Sequence, residues 1–300
     1  MRMRIIRPSS QEQNDLLEKR LVELRYAGHE VLYDESKPDP DWAYTAASPV
    51  DRANSFVDAM GEKDTDVVWA ARGGYGASEM FPYMNWAALG NTPMKWLVGF
   101  SDISAIQCAL YAKLGRPSIH GPMPATSLWK KNDDQRDVDT TFQLLSQLIA
   151  GRTASTRIKV TPVTKGAPET LSGTLFGGCF SVISQLMGTP YFPQDLSGHL
   201  LFIEDLDEHP GRLMRLWQQW VLSGIADKLA GVVVGNLKKL GTEIDDNAEF
   251  VLARFAKFSP VPVYHSRDFG HDCPNFPMII GADATINKEF LDYSYTPKDS

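Results

Sequence analysis

Short apolar runs alternate with longer amphipathic segments through the first half of the chain. Met3 to Ile6 reads as a first strand, ending at Pro8-Ser9-Ser10. Leu17, Leu21 and Leu24 then recur at helical spacing, with Gly28 as the stop. Glu30 to Tyr33 makes a second strand. Ser48-Pro49-Val50-Asp51 offers a capping hydroxyl, proline at the first helical position and an acid two residues after it. The helix that begins there is predicted to bury Val50, Ala53, Val57 and Met60. Asp66 to Ala71 is a buried strand running into Arg72-Gly73-Gly74-Tyr75-Gly76. Lys95 to Phe100 is another, running into Ser101-Asp102. Behind it Ile103, Ile106, Leu110 and Leu114 mark a helix. Asp133 to Ala150 is predicted as a helix with Val138, Phe142, Leu145 and Ile149 inward, closed by Gly151.

Strands alternating with helices predict a parallel sheet with helices on both faces, whose functional sites form at the C-terminal strand edge. The texture then changes. Gly151 to Gly178 is rich in Thr, Pro and Gly and contains the alternating Arg157-Ile158-Lys159-Val160. Further on, β-like runs cover Leu200 to Ile203, Gly231 to Val234 and Val261 to Tyr264. One amphipathic helix, Arg212 to Leu222, carries Leu213, Leu216, Trp217 and Trp220. The expected architecture is α/β: an N-terminal parallel-sheet domain with flanking helices over 1–150, a linker over 151–170, and a β-rich C-terminal domain over 171–300.

Composition narrows the function. A chain of 300 residues exceeds what one core usually holds. No apolar run approaches membrane-spanning length, so no membrane partner is expected. The basic start, Met1 to Pro8, lacks the apolar centre of a signal peptide, so the expectation is a cytoplasmic protein. A net charge of -7 without a basic cluster argues against a nucleic-acid partner. Cys108, Cys179 and Cys273 are odd in number and dispersed, as reduced thiols would be, with no zinc-like pair. No metal or organic cofactor is expected.

The strand–turn–helix at Ser101 suits a nucleophile: its hydroxyl would stand near a helix N-terminus, where free N–H groups favour negative charge. Gly99 relieves crowding as in the nucleophile elbow of hydrolases, although Ile103 stands where that motif has its second glycine. A plain capping serine is the alternative. Arg72 to Gly76 lacks dinucleotide or Walker spacing. Its glycines would let a backbone N–H approach a substrate carbonyl and, with the N–H of Asp102, form an oxyanion hole. A ligand-free tight turn fits the same residues.

A serine nucleophile needs a base. Of six histidines, His271 stands out, on a glycine-hinged loop after Asp268-Phe269-Gly270 at a strand end. His120, near another strand end, could line a site. Glu204 and Asp205 close an apolar run and are either half-buried beside a partner or, slightly favoured, at the strand's exposed exit. Cys179, after Gly177-Gly178, is either a second candidate nucleophile or, more commonly, a packed thiol.

Four segments together give the chain a family resemblance: Arg72 to Ser78, Ser101 to Gln107, Glu204 to Pro210 and Asp268 to His271, with Gly188-Thr189-Pro190 between them. In that order they resemble the serine LD-carboxypeptidase family, the hydrolases of murein recycling. The resemblance implies a triad of Ser101 as nucleophile, His271 as base and Glu204 as orienter, on two domains with the site between them, in a homodimer. It implies hydrolysis of a murein tetrapeptide between meso-diaminopimelate and D-alanine, with the N–H groups of Gly74 and Asp102 holding the oxyanion. Arg72 is the candidate for the substrate's free carboxylate. Alternatives are a relative cleaving another acyl-amide, such as a peptide-nucleotide antibiotic, or a non-catalytic binder. The chain departs from the family at Cys179, usually asparagine, and at Gly211, often aromatic. Arg4 and Arg7 make the first strand unusually basic.

Overall fold

The computed structural model describes residues 1–11, 15–33, 38–127, 129, 135–238 and 248–297. Five parallel strands come first: β1 (Arg2–Ile6), β2 (Glu30–Tyr33), β3 (Val67–Ala70), β4 (Trp96–Gly99) and β5 (Ser118–His120), in the order β2-β1-β3-β4-β5. The unbroken apolar runs of β3 and β4 are buried at every residue, as interior parallel strands require. Accompanying helices are α1 (Leu16–Tyr26), α2 (Pro49–Gly61), the short α3 (Trp86–Gly90), α4 (Ser104–Leu114) and α5 (Arg136–Ile149).

Helix α1 buries Leu17, Leu21 and Leu24, as their spacing predicts. Helix α2 starts on Ser48, whose Oγ accepts the Asp51 N–H at 3.2 Å. Its buried face is Arg52, Ala53, Phe56, Ala59 and Met60, while Val50 is exposed. The apolar pattern missed this rotation because Arg52 is drawn inward by the carbonyls of Ala47, Pro8 and Gly76. In α5, Val138 and Leu145 point inward as expected, but Ile149 is exposed and Leu148 is buried. Residues 133 and 134 of that predicted helix lie outside the described residues.

The second sheet contains β6 (Ala154–Lys159), β7 (Thr161–Pro162), β8 (Thr170–Cys179), β9 (His199–Leu206), β10 (Gly231–Lys238) and β11 (Val263–Gly270). The chain then returns to the first sheet as β12 (Met278–Ile280), antiparallel to β5, before β13 (Asp283–Asn287) and β14 (Phe290–Tyr295). The second sheet's order is β6-β14-β13-β8-β9-β10-β11-β7. Strands β6 and β7 thus occupy part of the stretch expected as a linker. On the antiparallel flank, Ile158 is buried between exposed Arg157 and Lys159, the alternation visible in the sequence.

The centre of this sheet, β8 to β11, is parallel. It is accompanied by α6 (Phe180–Ser184), α7 (Pro210–Leu222) and α8 (Ala248–Phe258). Two parallel cores therefore meet at their C-terminal edges. The ring of Phe100, just past β4, lies 4.9 Å from the ring of His271, just past β11. The Cys179 N–H at the end of β8 donates to Ser104 Oγ at 3.0 Å. Among the described residues, no helix is long and apolar enough to cross a membrane.

Candidate active site

Ser101 leaves β4 with a φ of 62°, a left-handed conformation that non-glycine residues adopt rarely and at a cost. Close packing holds it there. A Cβ on Gly99 would stand 2.8 Å from Ile103 Cγ2, and one on Gly73 would stand 2.8 Å from Ser101 Cβ. Ile103, in place of the motif's second glycine, fills the room that Gly99 leaves. Below the turn, Gln107 Nε2 donates to the carbonyls of Gly99 (3.0 Å) and Ile119 (2.8 Å), tying the ends of β4 and β5 together.

The next residue fastens three loops. Asp102 is buried, and its Oδ2 accepts the Ser9 hydroxyl at 2.7 Å and the Ala77 N–H at 2.9 Å. Burial raises its pKa, and those two hydrogen bonds work against the rise. Ser10 grips the glycine loop: its N–H donates to Gly73 O (3.3 Å) and its Oγ accepts the Tyr75 N–H (3.0 Å). Among the described residues, no protein acceptor takes the N–H of Gly74 or of Asp102. Exposed aromatic rings, Trp42, Tyr44 and Tyr75, stand beside this loop.

The other half of the site comes from the second sheet. Glu204 and Asp205 at the end of β9 are both buried, contrary to the slightly favoured exposed exit. Flanking β8 and β10 enclose that end of the strand. Glu204 Oε2 is 2.5 Å from His271 Nδ1. Burial would raise the pKa of Glu204 and lower that of His271. The charge and hydrogen bond each supplies to the other outweigh burial, so Glu204 lies below and His271 above its ordinary value.

The His271 loop is anchored beyond the pair. Gly270 N–H donates to Asn275 Oδ1 (3.1 Å), Asn275 N–H donates to Asp137 Oδ2 on α5 (2.8 Å), and Lys238 pairs with Asp272 at 2.8 Å. Ser101 and His271 are both partly exposed, and the ring of Phe100, the residue before Ser101, lies 4.9 Å from the His271 ring. Among the described residues, no hydrogen bond joins Ser101 Oγ to the His271 ring. Such contacts are often long until substrate closes the site.

The remaining candidates separate clearly. Arg72 donates to the Gln11 carbonyl at 3.0 Å. Cys179 is buried, and burial, with Asp205 and Glu204 nearby, pushes its thiol well above the ordinary value. It packs as a protonated thiol against Asp205 Oδ1 (3.5 Å), which is no setting for a nucleophile. Asp205 is itself raised to about 6 by burial and by Glu204. Gly211 N–H donates to His209 Nδ1 in the first turn of α7, and His199 bonds the Tyr111 hydroxyl at 2.8 Å. Arg4 pairs with Glu62, and Arg7 stands over the Tyr33 ring, which accounts for the basic first strand. Among the described residues, no group of three or more His, Cys, Asp or Glu side chains could hold a metal ion.

Sequence reasoning missed the supporting cast. Gly73 lies against Ser101, whereas Gly74 lies against Ser10, and Ser9, Ser10, Arg52, Asp137 and Asn275 hold the loops. Pro8-Ser9-Ser10 at a strand end was the available signal for two of them; nothing near Asp137 or Asn275 in sequence points to residue 271.

Two family models cover the chain: the LD-carboxypeptidase N-terminal domain over residues 3–121 and the LD-carboxypeptidase C-terminal domain over 172–286. A murein tetrapeptide carboxypeptidase of Pseudomonas aeruginosa is 29% identical over 293 residues, 95% of this chain and 92% of that protein. The crystal structure of a muramoyltetrapeptide carboxypeptidase from Oxalobacter formigenes superposes with a TM-score of 0.83 at 27% identity, covering 99% and 100% of the two chains. The microcin C7 self-immunity protein of Escherichia coli is 20% identical over 280 residues, 84% of this chain and 80% of that one.

Proposed function

The chain belongs to the LD-carboxypeptidase family, and from that premise we propose that it is a serine-type enzyme releasing the terminal D-alanine of murein tetrapeptides. The observation that carries the reading is the Glu204–His271 pair, whose imidazole lies 4.9 Å from the ring of Phe100, the residue before a strained Ser101. Each component supplies what acyl transfer needs. His271 Nε2 takes the Ser101 proton as the hydroxyl oxygen attacks the carbonyl. Glu204 keeps the other proton on Nδ1 and stabilises the imidazolium that forms. The N–H groups of Gly74 and Asp102 receive the developing oxyanion, a contribution often worth several kcal/mol. His271 then returns its proton to the departing D-alanine amine, and water, deprotonated by the same ring, releases the acyl group.

Arg72 is our candidate for the substrate's free carboxylate, which its guanidinium can grip bidentately. One of its donors serves the Gln11 carbonyl at 3.0 Å, and among the described residues it has no acidic partner. We place the reaction in the cytosol and in a homodimer, as the family resemblance implies. The test is mass spectrometry of murein tetrapeptide incubated with the protein: loss of one alanine with the wild type, and none with Ser101→Ala. An intact tetrapeptide beside a cleaved aminoacyl-nucleotide analogue would overturn the substrate assignment. Undiminished turnover by Ser101→Ala would overturn the mechanism.

A further inference from the structure

Strand β5 ends on His120, beside the end of β4. Its ring is completely buried, edge-on to Phe202 (5.5 Å between centroids) and Phe100 (6.0 Å). Neither ring nitrogen has a hydrogen-bond partner among the described residues. The polar atom that faces them is Glu204 Oε1, 3.6 Å from Nε2, itself buried and unpartnered while Oε2 serves His271. Buried polar atoms are almost always paired, so three unpaired ones in one spot need a reason. A neutral imidazole carries one N–H, and a carboxylate oxygen at that distance favours placing it on Nε2.

We infer that His120 is a positioning residue: its Nε2–H faces Glu204 Oε1 across 3.6 Å, an electrostatic contact longer than a hydrogen bond, which biases the carboxylate so that Oε2 faces His271 and draws off part of its negative charge. The inference rests on the proposed Ser101–His271–Glu204 relay and adds a fourth member from the serine's own sheet. Burial pushes the His120 imidazole down to about 4, against the pull of Glu204 and with His271 adding to the fall, so the ring is a neutral donor at working pH.

The consequence has a sign. Facing His271 are Glu204 and Asp205 from β9, which favour its protonated form, and Lys238 from β10, which opposes it. The His120 N–H acts in the same direction as Lys238. Without it, Glu204 pulls harder on the His271 proton. The base then stays protonated, and idle, to higher pH.

The test is 15N NMR of histidine-labelled protein across the titration range, in the wild type, His120→Leu and His120→Gln. The wild type is expected to show the neutral Nε2–H tautomer at His120. The His271 midpoint should rise by about half a unit or more in His120→Leu. Glutamine, which restores an N–H donor, should bring it back to within about 0.2 unit of the wild type. In active enzyme the acid limb of kcat should move by the same amount with KM unchanged. An Nδ1–H tautomer, an unmoved midpoint in His120→Leu, or equal shifts in both variants would overturn the inference. If the leucine variant does not fold, the wild-type tautomer decides alone. The spectra need no substrate, so failure here is distinct from failure of the alanine-release assay.

Discussion

The two halves of the site are held by different physics. Around Ser101 the device is steric and local: a left-handed serine, two glycines whose missing side chains make room, and a buried Asp102 clamping neighbouring loops. Around Glu204 and His271 it is electrostatic and long-range: two ionisable groups, distant in sequence, share a buried contact that moves both pKa values. The first half sets where an atom stands. In the proposed relay, the second sets when a proton moves. Substitutions should therefore fail differently in the two halves, by misplacement on one side and by loss of proton transfer on the other.

The largest effect is expected from Glu204→Gln, which keeps shape but removes the charge that orders the His271 ring. A loss on the order of 10⁴-fold in kcat is expected, with near-native KM, by the logic that applies to the acid of any such relay. A loss below tenfold would break the comparison, since the electrostatic half would then be dispensable. Gly73→Ala probes the steric half. A methyl group 2.8 Å from Ser101 Cβ must displace the serine or the loop. Shifts of about 1 Å at a reacting atom cost on the order of 10²-fold in rate. The expected signature is a reduced kcat with the His271 titration unmoved; a displaced titration would show that the halves are not separable. Cys179→Ala should matter least, changing kcat by less than about threefold, because a small buried thiol acts mainly as packing. Abolished activity in a folded variant would return Cys179 to the list of chemical participants.

The sequence shows the steric half more readily than the electrostatic one. Strand, glycine, serine and helix are contiguous from Trp96 to Leu114, so local periodicity exposes the elbow without any tertiary knowledge. Gly99 and Ile103 were visible as a broken motif, but only packing explains why they suit one another. Glu204 was readable as a carboxylate at a strand end; its burial depended on β8 and β10 closing over it, a fact of sheet order. The parallel centre of the second sheet was hidden for a similar reason. Helix α8 lies just after residues 239–247, outside the described residues, and buries Val251, Leu252 and Phe255 at helical spacing. His120 could be placed near a strand end, but its approach to Glu204 needed two sheets facing edge to edge.

The central claim is that side chains from both sheets activate one hydroxyl. Labelling with a fluorophosphonate, followed by digestion and mass spectrometry, tests it without assuming a substrate. The account predicts an adduct on Ser101 whose rate of formation rises with pH through a midpoint above 6.5, because a raised His271 must lose its proton before it can act as base. The rate should collapse in His271→Ala. An adduct on another residue, or Ser101 labelling at the same rate without His271, would contradict it.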